Sequence, residues 1–188
     1  MEGSNSSWSK ERGDLYWLDL LVKPNAKEKL SSENYYFFNL NEITQNYVCA
    51  NEVSAREIVT VPEPYLSDYK NMFSHYTVEE TSLDASEHPY QGKIWVLVSE
   101  KVYSSSENFA MFCKNTGFAT LIGTPTGGDG GIADPILVAL PNSGLIIRFS
   151  MFYGTNADGS GNEANGTIPD ISISSGEDAL EKCLELIE

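Results

Sequence analysis

The chain has 188 residues, about one domain's worth, and 41% of them are hydrophobic, so a globular fold with a sizeable core is expected. With 27 acidic against 12 basic side chains the formal charge is −15, which makes nucleic acid and anionic membrane poor partners. No apolar run approaches a bilayer span, and Met1-Glu2-Gly3-Ser4 lacks the basic and apolar regions of a secretory signal, so a soluble chain without membrane insertion is expected.

In chain order, the Ser-rich residues 1–13 read as a flexible start to a single domain over 1–188. From Leu15 to Val22 the apolar spacing suits a helix that ends before Pro24. Glu33 to Leu40 reads as a strand whose aromatic run belongs to a core. Thr60 to Gln91 carries Pro62, Pro64 and Pro89 among many polar residues and is expected to be a long surface excursion. His75 and His88 fall inside it and are expected to be solvated loop histidines.

A buried-strand pattern follows at Lys93–Ser99, then Tyr103-Ser104-Ser105-Ser106-Glu107 opens a helix that ends near Lys114-Asn115-Thr116-Gly117. Phe118–Gly123 is a strand candidate, and the loop from Thr124 to Gly131 comes after it. Ile136–Leu140 and Leu145–Phe149 form two more strand candidates, joined by Pro141-Asn142-Ser143-Gly144. In the terminal segment Leu180, Cys183, Leu184 and Ile187 recur at helical spacing, and the resulting helix is expected to dock on the sheet. Cys49, Cys113 and Cys183 are odd in number and too widely spaced for a zinc clamp, and the last two are expected to pack as small hydrophobes.

Ser104 carries two chemical readings. Ser-x-x-Glu before an apolar helix is a capping box, in which the serine satisfies free N–H groups. A serine at a strand-to-helix corner is also where an acyl-transfer enzyme holds its nucleophile, beside the N–H groups of the helix start. The glycine run 127–131 lacks the Lys-Ser/Thr of a phosphate-binding loop. Asp158-Gly159-Ser160-Gly161-Asn162-Glu163 is too short for a calcium loop and reads as a turn. No cofactor and no metal are expected.

The ordered words Ser104-Ser105-Ser106-Glu107, Gly117-Phe118-Ala119-Thr120-Leu121-Ile122-Gly123, Thr126-Gly127-Gly128, Leu140-Pro141-Asn142-Ser143-Gly144 and Gly166-Thr167-Ile168-Pro169-Asp170 together resemble peptidase family S41. These are the C-terminal-processing or tail-specific serine peptidases, and the match covers the carboxyl-terminal part of their catalytic domain, roughly Lys93 to Ile173. The resemblance implies an α/β, ClpP/crotonase-like fold, with the nucleophile on Ser104 and the N–H of Ser105 as one oxyanion donor.

Members with a Ser/Lys dyad place a lysine in the loop after the Phe118–Gly123 strand. This chain has Asp129 there, and a carboxylate cannot replace an amine that must accept a proton. The tricorn-type branch uses a Ser-His pair helped by a late glutamate, which Glu163 matches, whereas neither His75 nor His88 matches that branch's histidine. Nothing from Met1 to Trp17 contains the family's Gly-rich segment with the second oxyanion donor, so the chain is expected to be part of a catalytic domain, with little activity on its own.

The resemblance implies an unstructured polypeptide or peptide as substrate and a parent family often exported or attached to the cell envelope. The uncovered strand surface is expected to pair in a homodimer. The alternative is a catalytically inactive peptidase-like domain that binds an extended peptide on a sheet edge.

Overall fold

The computed structural model describes residues 17–128, 135–174 and 176–187. Residues 1–13 and Asp14 to Tyr16 lie outside the described residues. The strands β1 (Leu30–Phe38) and β3 (His75–Leu83) pair antiparallel along their whole length, from Leu30 opposite Leu83 to Phe38 opposite His75. The short β2 (Arg56–Glu57) lies outside β3, and β8 (Tyr153–Gly154) lies against the other edge of β1, giving the order β2-β3-β1-β8.

The surface excursion expected over residues 60–91 is corrected here. Residues 75–83 form a nine-residue strand inside this sheet, with Pro62 and Pro64 before it and Pro89 after it. Polar residues dominate β3 because one face of an antiparallel sheet meets water, and only Tyr76, Thr77 and Leu83 are buried. Helix α1 (Glu42–Ala50) is started by Asn41, whose side chain accepts from the N–H groups of Ile43 and Thr44. Helix α2 (Tyr65–Tyr69) packs its tyrosines on Phe37, with ring centroids 5.8 Å from Tyr65 and 4.7 Å from Tyr69. The aromatic run of β1 is core, as expected, with Tyr36, Phe37 and Phe38 all fully buried.

The second sheet is parallel, in the order β4-β5-β9, from β4 (Trp95–Val98), β5 (Thr120–Gly123) and β9 (Ile171–Ser172). Helix α3 (Ser105–Thr116) is the crossover between β4 and β5, and it ends on the left-handed Gly117. β4 is less buried than expected, with Leu97 42% exposed, because it is an edge strand. The first helical stretch also differs from expectation. A π-helical turn over Leu18–Val22 runs on into a single 3-10 turn, Lys23–Asn25, that includes Pro24. Proline fits there because a first turn does not need its missing N–H.

Two more strands, β6 (Ile136–Ala139) and β7 (Ile146–Phe149), form an antiparallel hairpin of their own, and Leu137, Leu145 and Ile146 on it are largely exposed. A short α4 (Asn162–Asn165) precedes β9. The terminal α5 (Ala179–Ile187) lies against β4 and β5 and buries Cys183, while Leu180, Leu184 and Ile187 of the expected docking stripe stay exposed. Cys113 is fully buried, as expected, and burial, with the Asp170 carboxylate behind it, pushes its thiol up to about 12. Among the described residues no helix is long and apolar enough to cross a membrane.

Tyr69 ties α2 to the turn before α4, donating from its hydroxyl to the Gly159 carbonyl at 2.5 Å. Burial first, then neighbouring Tyr153 and Asp68, push this phenol up to about 12. A raised phenol stabilises the fold fully below the unfolded value near 10 and loses that contribution as pH rises towards 12. Tyr69→Phe should therefore cost about 1 kcal/mol at neutral pH. Urea titrations of both proteins should show the gap closing between pH 10 and 12, and a pH-independent gap would refute the assignment.

Candidate active site

Three segments meet where β4 and β5 end. The first is the corner from Ser99 to Ser105, the second the loop 124–128 after β5, and the third the turn 161–167 that contains α4. Corner and loop run side by side, since Gly127 N–H donates to the Val102 carbonyl at 2.7 Å and Ser104 N–H to the Gly128 carbonyl at 3.3 Å. Loop and turn are stitched by Thr126 and Thr167, with Thr167 N–H donating to Thr126 Oγ1 at 2.6 Å and Thr126 N–H to the Thr167 carbonyl at 3.2 Å.

Ser104 stands at the corner with φ +58° and ψ −129°, a backbone conformation that L side chains rarely adopt. Holding a non-glycine residue there costs about 1–3 kcal/mol, and such strain gathers at functional sites. The same kind of sharp, strained strand-to-helix turn exposes the nucleophile in serine hydrolases of other folds. Ser104 is exposed, and its side chain makes no capping hydrogen bond.

The capping-box reading is corrected accordingly. Ser104 N–H goes to Gly128, and Glu107, which would close the box, turns inward. Ser105, the first helical residue, has an N–H with no acceptor within the helix, at the end where the helix dipole is positive.

Gly128 joins the serine to the acidic turn. It has φ +79°, and a Cβ on it would stand 2.5 Å from the Asn162 carbonyl oxygen and 3.2 Å from Glu163 Cα. The residue that accepts the Ser104 N–H is thus the one packed on the Glu163 main chain, and only glycine fits. Gly166 repeats the device on the other side of the turn, with φ +62° and a would-be Cβ 2.1 Å from the Thr126 carbonyl oxygen. Glu163 is exposed in the first turn of α4 and lines a groove of about 650 Å³ with Phe73, Arg148, Phe149, Met151 and Tyr153.

The structure therefore brings Ser104, Ser105 and Glu163 to one locality. It does not bring in either histidine. His75 starts β3 in the other sheet, its Nδ1 2.9 Å from Ser74 Oγ and its ring 6.0 Å from that of Phe38. It is a strand residue and not the loop residue expected, whereas His88 is exposed outside any helix or strand. Asp129 lies outside the described residues.

Asp158 closes a turn, accepting from Ser160 Oγ at 2.6 Å and Ser160 N–H at 2.9 Å, and these bonds, the hydroxyl's first, lower its carboxyl from the usual value. Among the described residues no group of three or more His, Cys, Asp or Glu side chains could hold a metal ion.

Sequence reasoning missed Asn162, Thr167 and Thr126, and it misassigned Glu107. Glu107 is fully buried, and its Oε1 accepts from Asn162 Nδ2 and from Thr167 Oγ1, each at 2.7 Å. The available signal was helical spacing, because Glu107 shares its face with buried Ala110 and Met111 three and four residues on.

The profile of peptidase family S41 matches residues 41–173, and the chain belongs to this family. No curated protein matches it in sequence. Among solved structures, mature CPAF is 18% identical, with a TM-score of 0.54 over 86% of this chain and 36% of that one. Mature CPAF complexed with lactacystin gives 19% identity and a TM-score of 0.53 over 81% of this chain and 35% of that one. A Parabacteroides merdae protein described as a peptidase is 24% identical over 60% of this chain and 38% of its own, with a TM-score of 0.49. The chain thus spans little more than a third of each of these three structures, and the CPAF likeness supports the α/β fold expected from the family.

The corner conformation is testable through stability alone. If Ser104 is strained and caps nothing, Ser104→Ala should be nearly neutral, whereas Ser104→Gly should stabilise by about 1 kcal/mol. A capping serine reverses that order, since alanine costs about 1 kcal/mol and glycine gains nothing. Urea midpoints of the three proteins decide the matter.

Proposed function

We propose that this chain carries the nucleophile side of a serine peptidase site in which peptide bonds are cleaved through an acyl-enzyme on Ser104. The observation that carries this reading is the strained backbone of an exposed serine at the β4–α3 corner, which no capping bond explains.

Ser104 Oγ attacks the peptide carbonyl carbon while its proton passes to a base. The carbonyl oxygen becomes an oxyanion, which the Ser105 N–H stabilises. The amine leaves with a proton, and water then hydrolyses the ester. Glu163, set against Gly128, orients the base or the water. The substrate is an unstructured polypeptide, and the aromatic-walled groove beside Glu163 offers room for its side chains.

The test is reaction with a fluorophosphonate ester followed by peptide mapping. Label should collect on Ser104 in preference to Ser105 and Ser106 and fall about tenfold in Glu163→Ala, and casein hydrolysis, weak at best, should vanish in Ser104→Ala. Equal label on the three serines would overturn the assignment.

A second reading, peptide binding without turnover, is favoured by Asp129 standing where the Ser/Lys branch has its lysine. Under it a fluorescent extended peptide binds with no ester formed at Ser104. Self-association belongs to the same proposal, since the β6–β7 hairpin exposes Leu137, Leu145 and Ile146 to water. Light scattering should give a dimer mass, and a clean monomer at high concentration would remove this part.

A further inference from the structure

We propose that Glu107 is a positioning residue whose buried carboxylate clasps the Asn162–Thr167 turn to helix α3 and thereby fixes Glu163 against the Ser104 corner. Its purpose rests on the roles proposed for Ser104 and Glu163, whereas the clasp itself rests on contacts alone. Oε1 of Glu107 accepts from Asn162 Nδ2, immediately before Glu163, and from Thr167 Oγ1, immediately after Gly166. One oxygen therefore holds both ends of the turn.

The rest of the turn is organised around those two ends. Asn162 Nδ2 also donates to Asn156 Oδ1 at 3.0 Å, and Asn156 Nδ2 donates to the Gly166 carbonyl at 2.8 Å. Thr167 is bonded in turn to Thr126, on the loop that leads to Gly128. Removal of the Glu107 carboxylate leaves both donors without their shared acceptor.

Burying this side chain carries a cost of its own. A carboxylate buried with only uncharged donors on one oxygen, and its Oε2 without a partner among the described residues, is costly to desolvate. An apolar side chain in its place would spare that desolvation but would take away the acceptor that Asn162 and Thr167 share. What the side-chain oxygen provides is two directional bonds to chosen atoms of a distant segment. That is positional information, and it is delivered three residues from the serine, on the same rigid helix.

Hydrogen exchange followed by mass spectrometry tests the clasp without any need for activity. In Glu107→Ala the amides of Asn165, Gly166 and Thr167 should exchange at least tenfold faster while those of β1 and β3 keep their rates. Glu107→Gln, whose amide oxygen can accept the same two bonds, should restore most of the protection. Thr167→Val removes one donor at nearly constant volume and should give a smaller, several-fold increase at the same amides, which keeps the test decisive if Glu107→Ala does not fold.

Fluorophosphonate labelling of Ser104 should fall with the loss of protection and recover in Glu107→Gln. Unchanged exchange at 165–167, or a loss spread evenly over both sheets, would overturn the clasp. Faster exchange in the variants together with a wild type inert to the probe would uphold the clasp and sink the role of Ser104 instead.

Discussion

Helix α3 is the constraint on which the molecule depends, because it is walled in by both sheets. Phe112 joins the cluster of Leu18, Val22, Leu30 and Leu83 on the side of the antiparallel sheet, while Ala110 and Cys113 pack with Val98, Ala119 and Leu121 of the parallel one. Asn115, near its end, donates to Ser32 Oγ and Asn34 Oδ1 on β1. A helix buried on opposite faces cannot slide or roll without opening two cores at once. Its start is therefore held in place, and the strain at Ser104 persists because the surroundings over-determine it.

How far the residues alone disclose this depends on which interactions are local. The β4–α3–β5 unit was legible, since apolar runs, a helix start and Gly117 as its stop all lie within about thirty residues. The Ser104 corner was legible as well, because a serine between a strand and a helix has few roles. Strand β3 was not legible. Its interior residues, Thr77 to Ser82, include two glutamates and two threonines, and its pairing with β1 along its whole length, with β2 at one end, makes it a strand.

Glu107 was hidden for a different reason. Its spacing from Ser104 satisfies a local capping motif, and a local motif cannot reveal that the side chain prefers partners 55 and 60 positions away. The glycines of the Thr-Gly-Gly loop were visible as family words, but the packing of Gly128 on Asn162 and Glu163, and of Gly127 on Glu100 and Val102, depends on a tertiary approach.

The turn that carries Glu163 is bound by chain closures of very different span. Thr155 reaches Tyr35 over 120 positions, Gly159 receives Tyr69 over 90, and Thr167 reaches Glu107 over 60 and Thr126 over 41. Closing a flexible loop costs entropy that grows only with the logarithm of its length, so the first of these closures carries most of the cost and each later one little more. The contacts are thus conditional on one another. Loss of any one closure therefore loosens the turn around Glu163 and makes the closures that remain more costly to keep.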